Sequence, residues 1–63
     1  MKLKVGDKVR VLITDFPKNC PVGFETSVTR LVSDGFYVQG NGYDVIKDWY
    51  FSDNQEYFFE LLT

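Results

Sequence analysis

Hydrophobic and polar positions alternate with a period of two along much of this chain. In "KVRVLI", residues 8–13, Val9, Val11 and Ile13 alternate with Lys8, Arg10 and Leu12. Successive side chains of a strand point to opposite faces, so this stretch predicts a half-buried strand, launched by a turn at Gly6-Asp7. "FETSVTRLV", residues 24–32, is rich in β-branched residues and predicts a second strand. Val28 and Leu31 stand three apart there, and a bulge around Thr29–Arg30 would return both to one face. "SDG", residues 33–35, predicts a hairpin turn, because Asp-Gly tolerates the positive φ values of a tight connection. "FYVQ" then carries Phe36 and Val38 on one face, Tyr37 and Gln39 on the other. "GNGYD", residues 40–44, is a second turn. "DWYFS", residues 48–52, predicts a fourth strand with Trp49 and Phe51 opposite to Tyr50.

Ser52 and Gln55 have the spacing of a capping box, which predicts one turn of 3-10 or α-helix. "YFFELL", residues 57–62, is read as a short fifth strand. As a helix it would leave Glu60 as the single polar residue of the run, with no amphipathic stripe. "TDFPKNCPVG", residues 14–23, contains two prolines and reads as a long loop, either functional or a connection across one end of the fold. The expected core is Val5, Val9, Val11, Ile13, Val28, Leu31, Phe36, Val38, Trp49, Phe51, Phe59 and Leu61.

Size sharpens the demand on that core. With 63 residues the chain is read as one domain, residues 1–63. A domain so short buries only about 60% of its unfolded surface. One cysteine, Cys20, allows no internal disulfide, and the lack of histidine argues against a structural zinc site. Bulk must come from aromatic rings, which make up 17% of the residues. Six of them, Trp49, Tyr50, Phe51, Tyr57, Phe58 and Phe59, crowd into residues 47–62. No apolar run approaches the roughly 20 residues of a membrane span. A polar N-terminus and a free thiol are read as marks of a cytoplasmic protein, and the chain as a complete small open reading frame.

The net charge of −2 hides a strong polarity. Residues 1–31 carry six basic and three acidic groups, net +3. Residues 32–63 carry one basic and six acidic groups, net −5.

Five short strands, a long loop after the first, two tight turns and a helical turn before the last form an order that resembles the SH3-like barrel. "KVGDKVRVL", residues 4–12, resembles the first strand of small bacterial and phage SH3-like and KOW-type domains. "VTRLVSDGFYV", residues 28–38, is similar to their central hairpin, and "DWYFS" followed by "FFELL" to their last two strands. The resemblance implies an all-β fold, a small five-stranded SH3-like barrel with one short 3-10 turn before the last strand. It implies a binding scaffold, not an activity. A freestanding domain of this size also resembles accessory proteins of phages and mobile elements, which bind and modulate a host protein.

Candidate chemistry is sparse, and the chain is read as no enzyme. Cys20 in "NCP" is the one strong nucleophile, with only Lys18 near to lower its pKa, and it reads as a half-buried structural thiol. The carboxylate pairs Asp44/Asp48 and Asp53/Glu56 read as solvated surface. "DNQE" lacks the alternating acids and glycine of a calcium loop, so no metal or other cofactor is expected. Two binding readings remain. Lys2, Lys4, Lys8 and Arg10 share one parity and, with Arg30 and stacking tyrosines, would form a nucleic-acid surface. The favoured reading is protein binding. Alternation cannot bury every ring, and Tyr37, Tyr43, Tyr50 and Phe58, rimmed by Asp48, Asp53 and Glu56, would form an exposed aromatic and acidic face. The competing reading is that a strand bends and tucks these rings away, or that they are hidden in a homodimer.

Overall fold

The computed structural model describes residues 3–40 and 48–63. Among these residues five strands form, β1 (Lys8–Val11), β2 (Glu25–Val32), β3 (Gly35–Gln39), β4 (Asp48–Ser52) and β5 (Phe59–Leu61), with a 3-10 helix at Asp53–Phe58 between the last two. All pairings are antiparallel, in the order β4-β3-β2-β1-β5. The protein is therefore all-β, as the period-two pattern predicts.

Turns place the strands. Lys4 and Asp7 close the turn before β1: the Asp7 N–H donates to the Lys4 carbonyl (3.0 Å) and the Asp7 carboxylate accepts from the Lys4 N–H (2.8 Å). Gly6, at φ +94°, holds the third position, where a type II turn needs a left-handed residue. Gly23, at φ +90°, holds the same place in a turn closed by Phe24 N–H to Pro21 O (3.0 Å). Between them the 12–24 loop turns inward. The Asn19 and Cys20 N–H groups both donate to the Phe16 carbonyl, which carries Cys20 into the core. The Phe16 ring packs on Trp49 (5.4 Å) and edge-on to Phe51 (6.0 Å). The loop is thus a structural cover as well as a connection.

The expected bulge is present. Val28 pairs with Val38 and Arg30 with Tyr37, leaving Thr29 as the extra residue. The Thr29 hydroxyl instead reaches the Tyr37 carbonyl (3.4 Å). The β2–β3 hairpin also forms, but for a different reason. Among the described residues none other than glycine has a positive φ, and Gly35 itself lies in β3 without one. Gly35 is required by proximity. A Cβ there would collide with the Phe51 carbonyl oxygen and lie 2.7 Å from Tyr50 Cε1 and 3.0 Å from Ser52 Cα.

The buried core is Leu3, Val9, Val11, Cys20, Val28, Phe36, Val38, Phe51, Phe58 and Phe59, with Phe24 and Trp49 packed against it. Its centre is a ring cluster. Phe51 lies edge-on to Phe59 (4.8 Å) and Phe58 (6.3 Å), and Phe36 contacts both Phe51 (5.9 Å) and Phe59 (5.5 Å). Each ring removes about 150–250 Å² from water, which is how so short a chain assembles a core.

Four expected core residues are exposed. Val5 (60% exposed) precedes the sheet in the launching turn, and Ile13 falls beyond the end of β1 at Val11. Leu31 and Leu61 have the inward parity, opposite Phe36 and Val9, but sit near a strand end and on an edge strand. The strand expected over 57–62 begins only at Phe59, because Tyr57 and Phe58 belong to the 3-10 helix. That helix starts as the capping box predicts, with Gln55 Oε1 accepting the Ser52 N–H (3.0 Å). Its geometry swaps the two rings. Phe58 is buried at 6% exposure, whereas Tyr57 is 65% exposed.

Candidate docking face

Strand alternation puts Phe36, Val38 and Phe51 inside, so their neighbours on β3 and β4 face outward. The register lines Arg30, Tyr37 and Tyr50 up across three strands. The guanidinium carbon of Arg30 sits 4.0 Å from the centre of the Tyr37 ring. The Tyr37 and Tyr50 rings are 5.5 Å apart and tilted by 60°. Asp48, paired with Gln39, follows on the same face two residues along β4. At the other end the Asp53 N–H donates to the Asp34 carbonyl (3.0 Å), and the Tyr50 hydroxyl donates more weakly to that same oxygen (3.3 Å). Partial desolvation, the hydrogen bond to Asp34 and the charges of Asp34 and Asp53 all raise the Tyr50 phenol above its ordinary pKa.

Of the residues predicted for protein binding, Tyr37, Asp48 and Tyr50 therefore share one face and Asp53 borders it. Phe58 does not belong. It is a core ring under the 3-10 helix, because the two-residue parity that would expose it holds only in a strand. Tyr43 lies outside the described residues. Sequence parity also missed a member of this face, since Arg30, assigned to the basic stripe, covers a tyrosine instead. The β-branched run with a three-residue break around it, read with the hairpin, was the available signal for that cross-strand pairing.

The basic stripe is divided. Arg10 bonds Glu25 and Glu60 across both neighbouring strands, each at 2.9 Å. The Glu25 contacts, then Glu60, raise the Arg10 pKa and offset its charge. Lys8 is exposed on the same strand, and Lys4 lies in the turn before it. Arg30 stands five residues beyond Glu25 along β2, past the bulge. Lys2 lies outside the described residues. An open depression of about 240 Å³ is lined by Lys8, Glu25, Thr26, Ser27 and Leu62. That is below the roughly 300–1,000 Å³ of ordinary ligand pockets.

Cys20 is more deeply placed than its loop position suggests. It is fully buried, and desolvation raises its thiol pKa, the reverse of what a nucleophile needs. Among the described residues no group of three or more His, Cys, Asp or Glu side chains is placed to hold a metal ion. Among them, too, no helix is long and apolar enough to cross a membrane. No family model, no curated protein and no solved structure matches the chain.

Proposed function

We propose that this chain is a small non-catalytic binding module on an SH3-like barrel scaffold, and that it docks another protein through Tyr37 and Tyr50. The strand order β4-β3-β2-β1-β5, the long loop after β1 and the 3-10 helix before β5 support the scaffold. The docking reading is carried by one observation. Two tyrosines stand side by side on the outside of the sheet, bordered by Asp48 and Asp53, while four phenylalanines occupy the inside. Tyrosine offers a large, rigid contact area with a polar tip, which suits a protein interface. The nucleic-acid alternative is weaker because Arg10, central to the basic stripe, already bonds two carboxylates.

Affinity capture from nuclease-treated lysate tests the reading. Wild type, Tyr50→Ala and Tyr57→Ala would be compared as baits by mass spectrometry. The expected result is a captured protein that survives nuclease, is lost with Tyr50→Ala and is kept with Tyr57→Ala. Capture that ignores Tyr50→Ala would overturn the face. Capture that vanishes with nuclease would transfer the function to Lys4, Lys8 and the nucleic-acid reading.

A further inference from the structure

We infer that the docking face selects a basic segment of its partner protein, seating a lysine or arginine side chain against the Tyr50 ring beside Asp34 and Asp53. The inference rests on the docking-face reading and names the partner's chemistry.

The face already holds one cation. Arg30 lies 4.0 Å over Tyr37, in the geometry by which a ring's negative face attracts a guanidinium. Tyr50, the next ring across the sheet, is 37% exposed. Its hydroxyl donates to the Asp34 backbone carbonyl (3.3 Å), the same oxygen that accepts the Asp53 N–H (3.0 Å), so two acidic residues adjoin its hydroxyl end. Asp48 adds a third carboxylate on the same strand. A cation at Tyr50 would therefore meet a π face and a carboxylate rim at once. An acidic peptide or a phosphate backbone would meet the three carboxylates of Asp34, Asp48 and Asp53, against the single guanidinium of Arg30 already seated on Tyr37. A purely apolar segment would find little, since Val32 is the one aliphatic residue at the outward register positions of β2, β3 and β4 that flank the tyrosines.

The test uses the isotope-labelled chain and two capped peptides, one alternating arginine with glycine, the other glutamate with glycine. Amide and tyrosine ring shifts are followed by NMR at low and high salt. The arginine peptide is expected to move Tyr37, Tyr50, Asp34 and Asp53, with weaker binding at high salt. Asp53→Asn is expected to weaken it about two- to fivefold, the size of one exposed cation contact. Tyr50→Phe should keep binding and Tyr50→Ala lose it, with both variants checked for folding by circular dichroism. Equal shifts from the glutamate peptide, or arginine shifts confined to Glu25 and Glu60, would overturn the inference. The two readings can fail separately. A captured partner that needs Tyr50 but ignores salt and Asp53→Asn keeps the docking face and removes the basic partner.

Discussion

Phe58→Ala probes the fold where strand parity and structure disagree most. Phe58 is 6% exposed, its ring lies 6.3 Å from that of Phe51, and its carbonyl accepts the N–H groups of Leu12 (2.7 Å) and Ile13 (3.2 Å). A buried ring of about 150–250 Å², at about 25 cal/mol per Å², is worth about 4–6 kcal/mol. Residual burial in the unfolded chain trims this to about 3–5 kcal/mol, the range seen when phenylalanines are cut to alanine in cores. A chain of this length has a total stability of only about 3–9 kcal/mol. Phe58→Ala should therefore leave a large unfolded fraction in water. Tyr57→Ala, one residue away at 65% exposure with its ring edge-on to Phe58 (4.9 Å), should cost no more than about 1.5 kcal/mol. Urea denaturation followed by Trp49 fluorescence and far-ultraviolet circular dichroism reads both, with Phe58→Leu as a milder variant that stays folded. Equal losses at the two positions, or a larger loss at Tyr57, would refute the 3-10 geometry and return residues 57–62 to a regular strand.

Three further outcomes are expected. Gly35→Ala should cost about 1–3 kcal/mol in thermal or urea unfolding, because the new methyl meets strand backbone at Phe51 and Ser52, which cannot swing aside, as well as the Tyr50 ring; a neutral result would show that β3 and β4 are further apart. Cys20 should resist a thiol reagent in the native state and react on unfolding. Because burial raises the Cys20 thiol and the Tyr50 phenol alike, both favour their protonated forms in the folded state. The unfolded chain then loses these protons first as pH rises, so stability is full below the ordinary thiol value of 9.0 and falls above it. Melting temperatures from neutral to about pH 10.5 would show that decline, and Cys20→Ala should flatten part of it.

Residue patterns carried the fold further than the surface. The alternation of Val9 and Val11, the three-residue step from Val28 to Leu31, and Ser52 with Gln55 each report a local rule, and each rule is obeyed in place. Parity, however, states only which way a side chain points. Whether anything covers it depends on neighbours distant in sequence, so Leu31 and Leu61 point inward yet remain exposed. At Phe58 the rule itself lapses, since a 3-10 helix has three residues per turn. Cys20 is buried by turns inside a loop, where no period exists to read. The tyrosine face was half legible. Tyr37 and Tyr50 followed from alternation, but Arg30 over Tyr37 required the bulge register, which one residue of slippage would have reversed.

The strand order also divides the molecule in time. β2, β3 and β4 follow one another along the chain and pair as neighbours, whereas joining β1 to β5 brings Arg10 to Glu60, fifty positions away. Closing so wide a loop loses more chain entropy than forming an adjacent hairpin, and such distant pairings are what make β domains slow to fold. The two tyrosines stand on the part built from neighbours, and the Arg10 ion pairs on the part that must wait for the far end of the chain. Changes to the tyrosine face should therefore weigh on the rate of folding, and changes in β5 on the rate of unfolding, which stopped-flow chevrons of Tyr50→Ala and Leu61→Ala would separate.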